Sequence, residues 1–88
     1  MVIRKHYFIS GMVQGVGFRY RAYYAASRLE ITGYVKNLED GRVEMEAQGE
    51  ADAISLFLEH IEEGKYIEIT GLESYDMALQ MENGFSIC

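Results

Sequence analysis

Along these 88 residues the apolar positions pass twice from strand-like alternation to a helical stripe, and this ordering limits the possible folds more than any other feature. Ile3, Tyr7, Phe8, Ile9 and Val13 make a β-rich segment over 3–13 that runs into a glycine-rich turn. From Phe18 the period becomes helical: Phe18, Ala22, Ala25, Ala26 and Leu29 form one stripe, with Tyr20, Tyr23 and Ser27 toward the opposite side. The small alanines let such a helix lie close to a sheet. Thr32-Gly33 is expected to end it, and Tyr34 to Leu38 reads as a short strand.

Glu39-Asp40-Gly41 is a hairpin signal, with Asp40 as turn former. Val43, Met45 and Ala47 then alternate with Glu44, Glu46 and Gln48, the pattern of a strand buried on one face, and Gly49 breaks it. A second helix is predicted over about 51–63, with Ala51, Ile54, Phe57, Leu58 and Ile61 inward and Gly64 as its C′ stop. Residues 66–70 and 72–79 read as strands broken at Gly71, and Asn83-Gly84 turns into Phe85-Ser86-Ile87.

The order β-α-β-β-α-β predicts an α+β, ferredoxin-like sandwich over 1–88: an antiparallel sheet, two helices on one face and a short extra C-terminal strand. Right-handed crossovers place the third strand between the first and second. The first two strands then run the same way, so Asn37 reaches the edge of the sheet where residues 11–19 turn. Alternation puts Asn37 on the face of Val35, expected to be the helix-covered one.

That turn, GMVQGVGFR from Gly11 to Arg19, carries the chemistry. Glycines there permit positive φ and close approach to a ligand, and the N–H groups of the turn and first helical residues converge on an anion. The backbone N–H groups of Gln14, Gly15, Val16, Gly17 and Phe18 are the expected phosphate donors, and Arg19 adds a fixed charge with a planar fork. No Gly-Lys-Ser/Thr follows, so this is not a Walker A loop, and the glycine spacing is not that of a dinucleotide fingerprint.

An arginine, main-chain donors and a neutral amide are enough to hydrolyse a phosphate whose leaving group is good. A carboxyl phosphate is a mixed anhydride, and its departing carboxylate needs no general acid. What remains is to hold the phosphoryl group, neutralise its oxygens and keep water in line. Asn37 can orient that water without removing its proton. His6, mid-strand, and His60, mid-helix, are expected to be structural, and no Ser/His/Asp set or metal-ligand cluster stands out.

GMVQGVGFR, followed by TGYVKNLEDGRVEMEAQG from Thr32 to Gly49, resembles the small acylphosphatases. The resemblance runs from the first strand to the start of the second helix and more loosely beyond. It implies metal-independent hydrolysis of acyl phosphates to carboxylate and inorganic phosphate, with Arg19 binding phosphate and Asn37 positioning water. It further implies no cofactor and no phospho-enzyme, the substrate's own phosphate taking up the proton. Met12 stands where a basic residue is usual, Glu30 where glycine commonly ends the helix, and Lys65 follows Gly64 in place of proline. The competing readings are a non-catalytic module for phosphate or an acyl phosphate such as carbamoyl phosphate, and an interaction sandwich of the RNA-binding kind.

Charge and composition bear on partners. A net charge of −6 argues against general nucleic-acid binding and leaves the tyrosines as packing residues at sheet and helix margins. Every arginine and lysine except Lys65 falls in the first half, which places the basic potential at the Arg19 end. Cys88 has no internal partner, no apolar run approaches the ~20 residues of a membrane span, and Arg4, Lys5 and His6 interrupt any signal-peptide core. A cytoplasmic monomer acting on a small acyl phosphate, with inorganic phosphate as product and competitor, is the expectation.

Overall fold

The computed structural model describes residues 1–88. Its elements are β1 (Val2–Met12), α1 (Phe18–Leu29), β2 (Thr32–Asn37), β3 (Val43–Glu50), α2 (Ala51–Glu62), β4 (Glu68–Met77) and β5 (Phe85–Ile87). The strands form one sheet in the order β4-β1-β3-β2-β5. β1 pairs antiparallel with both β3 and β4, and β3 pairs antiparallel with β2. This is the ferredoxin-like arrangement, with one amendment: β5 adds to β2 in parallel, through Gly33–Phe85 to Val35–Ile87, so the sheet is mixed.

The strand alternation sorts the two faces. Tyr7, Ile9, Val35, Val43, Met45 and Ala47 are buried in one apolar cluster with Phe18, Ala22, Ala25 and Ala26 of α1 and Ile54, Phe57 and Ile61 of α2. The alanines bring α1 close to the strands, while Tyr20, Tyr23 and Tyr24 remain on its exposed side. Because β1 and β2 are both antiparallel to β3, Ile9, Val43 and Asn37 share one row across the sheet. The loop after β1 therefore begins just beyond the row that ends in Asn37.

Three local expectations change. The segment 66–79 holds one strand, not two: the pairing shifts where Ser10 faces Gly71 and Gly11 faces Ile69, so a bulge absorbs the break that Gly71 suggested. Helix α1 stops at Leu29, before Thr32-Gly33, because Glu30 takes the left-handed conformation (φ 56°, ψ 45°) and donates its N–H to the Ala26 carbonyl. Gly64 follows α2 without positive φ. A side chain there would instead collide with Ile67 Cδ1 and crowd Arg21 Cδ, so glycine supplies room.

The connection from β4 to β5 is pinned across one end of the sheet. Gln48 accepts from the Gln80 N–H and donates to the Gln80 carbonyl, each at 2.9 Å. Glu82 accepts from Arg4 at 2.6 Å. No helix is long and apolar enough to cross a membrane.

Candidate active site

At the opposite end of β1, a cavity of about 260 Å³ is lined by Val13, Gly15, Gly17, Phe18, Arg19, Tyr20 and Asn37. Its shape follows from the loop. Gly15 (φ 73°) and Gly17 (φ 82°) are both left-handed, a conformation other residues adopt only at a cost. Gly17 is also the N-cap of α1, and no side chain caps the helix there. The first hydrogen bond back to the loop is donated by the Arg21 N–H to the Gly17 carbonyl at 3.0 Å. The N–H groups of Gln14, Gly15, Val16 and Gly17 donate to no main-chain carbonyl. Those of Phe18, Arg19 and Tyr20 belong to the first helical turn, whose donors have no partner within the helix. Of the residues that carry these unpaired donors, Gly15, Gly17, Phe18, Arg19 and Tyr20 line the cavity, at the positive end of the helix dipole.

Arg19 stands in that first turn. Its guanidinium donates through Nη1 to the Cys88 carbonyl at 3.1 Å and makes no ion pair with an acidic side chain. No acidic residue lines the cavity. Asn37 enters from the end of β2, on the helix-covered side expected for it, and its Oδ1 is buried with no hydrogen-bond partner. A buried carboxamide oxygen without a donor is uncommon in a folded protein, and such groups concentrate where a ligand or water supplies the missing bond.

Of the residues singled out from the sequence, Gly15, Gly17, Phe18, Arg19 and Asn37 line the cavity, and Gln14 and Val16 do not. Val16 packs against the apolar cluster, and Phe18 is buried as the cavity floor. The Gln14 side chain turns the other way, donating to the carbonyls of Leu38 at 2.7 Å and Arg42 at 3.0 Å. Asp40 forms the turn, accepting from the Arg42 N–H at 3.0 Å and pairing with the Arg42 guanidinium. A larger groove of about 360 Å³ between the helices is lined by Arg28, Glu59 and Glu63 among others and shares no residue with the loop.

The basic charge of the first half does not gather at the loop as expected. Lys5 pairs with Asp76 and Arg42 with Asp40. Arg4, only 3% exposed on the open face of the sheet, lies between Glu46 and Glu82. There a polar cluster went unseen in the sequence. His6 Nδ1 meets Glu46 Oε2 at 2.5 Å, and the Tyr34 hydroxyl donates to Glu44 at 2.5 Å. Burial pushes the Tyr34 phenol up, and its bond to Glu44 raises it further. Burial alone would raise the Glu46 carboxyl, but hydrogen bonds from His6 and Arg4 outweigh it and hold the group below its usual range. The only signal for this cluster was the run of alternate charged residues in β3. Tyr20, assigned to helix-margin packing, is the other residue the sequence reading did not place at the site.

The comparisons with known proteins bear on the family and the fold. A family model described as Acylphosphatase matches residues 5–87. The acylphosphatase of Bifidobacterium longum is 42% identical over 79 residues, covering 89% of this chain and 81% of that protein. The crystal structure of acylphosphatase from Bacillus subtilis superposes with a TM-score of 0.90 at 34% identity, covering 100% of this chain and 99% of that one. The crystal structure of T. kodakarensis HypF matches at a TM-score of 0.80 and 33% identity, over 97% of this chain but 11% of the longer one. With a loop of unpartnered N–H groups, a guanidinium and a buried carboxamide meeting at one edge of this sandwich, the chain belongs to the acylphosphatase family, hydrolases acting on acid anhydrides.

Proposed function

We propose that the 88 residues act as one acylphosphatase domain that hydrolyses the carboxyl–phosphate bond by holding the phosphoryl group in the Gln14–Phe18 loop under Arg19, with Asn37 orienting the water. The observation that carries this reading is the meeting, at one cavity, of Arg19 with no acidic side chain paired to it and an Asn37 carbonyl that is buried and unpartnered. The loop N–H groups and the guanidinium neutralise the three non-bridging oxygens. Asn37 accepts a hydrogen bond from water and turns a lone pair toward phosphorus. Water attacks in line, the P–O bond to the acyl carboxylate breaks, and a phosphate oxygen takes up the proton. The departing carboxylate is a weak base, so no protein acid is required at that oxygen. Arg19 and the main-chain donors supply the charge neutralisation, and the reaction is written without a metal, a cofactor or a covalent intermediate.

Phosphate monoesters lack so good a leaving group, and nothing lining the cavity is placed as a general acid for them. Benzoyl phosphate is therefore expected to be cleaved with chelator present, inorganic phosphate to compete, and p-nitrophenyl phosphate to be nearly untouched. No turnover of benzoyl phosphate under those conditions overturns the reading. The cytoplasm and a monomer are the setting in which we expect this activity.

The likeness to a short part of the longer HypF chain keeps one alternative in view, that such a domain serves as a module which binds phosphate or an acyl phosphate such as carbamoyl phosphate without turning it over. Phosphate binding with no hydrolysis is its signature.

A further inference from the structure

The residues around the cavity divide by what they can touch. Gly15, Gly17, Arg19 and Asn37 are occupied with the phosphoryl group and water in the mechanism above. Val13 and Phe18 are buried to within 2% and form the floor. Tyr20 remains: it lines the same cavity, yet 63% of it faces solvent. In an in-line displacement the leaving group departs on the side of phosphorus away from the attacking water. The acyl group therefore points away from Asn37 and out of the cradle. The one lining side chain that is both apolar in body and largely exposed to solvent is the Tyr20 ring.

The sequence around it fits. Tyr23 and Tyr24 lie three and four positions on, so the three rings share neighbouring turns of the exposed side of α1. Tyr23 and Tyr24 meet edge to face at 5.5 Å. Large aromatic side chains left in water beside a concave site serve recognition more readily than packing. No lysine, arginine or acid other than Arg19 lines the cavity, so nothing there favours a charged acyl tail.

We infer that Tyr20 is the acyl-facing wall of the site and gives the chain a preference for acyl phosphates with aromatic or extended apolar acyl groups over short ones. The inference rests on the acylphosphatase reading above. It assigns Tyr20 a specificity role through ring contact with the acyl group, and no part in bond breaking.

The test compares benzoyl phosphate and acetyl phosphate with the wild-type chain, Tyr20→Ala and Tyr20→Phe. The wild type is expected to show the lower KM for benzoyl phosphate. In Tyr20→Ala that KM should rise about fivefold more than the KM for acetyl phosphate, the weight of one aromatic contact. Most of the change should lie in KM, with kcat for benzoyl phosphate moving less. Tyr20→Phe should restore the wild-type ratio, since it keeps the ring. An unchanged ratio in Tyr20→Ala overturns the inference and leaves the acylphosphatase reading standing. Equal KM values for the two substrates in the wild type overturn it as well. Failure of the wild type on both substrates overturns the reading itself, and the inference with it.

Discussion

The Gln14 side chain is tied to Leu38: its Nε2 donates to the Leu38 carbonyl at 2.7 Å, and the same nitrogen reaches the Arg42 carbonyl at 3.0 Å. The Leu38 N–H in turn donates to the Arg42 carbonyl at 2.8 Å, so Gln14 closes the mouth of the β2–β3 hairpin one residue past Asn37. One side chain thereby fixes the distance between the donor loop and the carboxamide.

Removing that tie should cost more in rate than in folding. Gln14→Ala removes one donor from each of two carbonyls that keep a main-chain donor, the Gly41 N–H on Leu38 and the Leu38 N–H on Arg42, a loss of about 0.5–1.5 kcal/mol. Small misplacements of a positioned group lower rates steeply, and turnover on benzoyl phosphate is expected to fall about tenfold or more. Chemical denaturation and steady-state kinetics measure the two effects. Unchanged kcat would show that the loop and hairpin hold their spacing without Gln14.

Arg19 and Asn37 should separate kinetically. Arg19→Gln removes a preorganised charge and is expected to lower kcat/KM by about 100- to 1,000-fold, with weaker competition by inorganic phosphate. Asn37→Ala should lower kcat while leaving phosphate competition largely intact. That substitution also deletes a buried carbonyl that has no partner, so the melting temperature should hold or rise. Loss of phosphate competition in Asn37→Ala would count against its assignment to water.

Glu30 closes α1 in a conformation that suits glycine. Glu30→Gly relieves that strain but gives the unfolded chain more freedom, and the balance is a gain of about 0.5–1 kcal/mol. For a domain of this size that is a rise of roughly 2–8 °C in melting temperature, readable by calorimetry. Activity should not change, because Glu30 lies at the far end of the helix from Arg19. A lower melting temperature would mean that the glutamate side chain makes a stabilising contact.

On the open face, Arg4 and Glu46 are 3% and 7% exposed and meet at 2.7 Å. Arg4→Met leaves Glu46 buried without its arginine and releases Glu82, at an expected cost of about 3–5 kcal/mol. Glu82→Gln, acting on a more accessible carboxylate, should cost about 1 kcal/mol or less. Comparable losses from the two variants would show that the pair draws little from its burial.

The same carboxylate sets a pH dependence. Glu46 titrates below its ordinary value of 4.5 in the folded chain, held there by His6 and Arg4 against the opposing effect of burial. Its contribution is complete above that ordinary value and is lost as pH falls through the lower, folded-state value. Melting temperatures of the wild type should therefore drop more steeply below about pH 4.5 than those of Glu46→Gln. Parallel curves would remove Glu46 as the source.

Much of the architecture could be read from period alone, because the stripe Phe18–Ala22–Ala25–Ala26 and the alternation Val43–Met45–Ala47 record burial directly. Topology then carried Asn37 to the loop, since two strands antiparallel to a common neighbour must end at the same edge. Periodicity alone missed the end of α1 at Glu30, as a charged residue gives no local sign of positive φ, and only the family resemblance marked that position as a helix end. Arg4, His6, Tyr34, Glu44 and Glu46 were read as separate charges and rings, because only strand register brings residues some 40 positions apart into one cluster. Tyr20 was missed for a related reason. Its period marks it as exposed, and exposure alone does not say that a cavity lies beside it.

The bond from Arg19 to the Cys88 carbonyl has a practical side. The single cysteine of these 88 residues is exposed and sits on the residue that the guanidinium touches, beside the loop proposed to bind phosphate. If Arg19 binds the anion, an environment-sensitive dye attached at that sulfur is expected to act as an optical gauge of its occupancy.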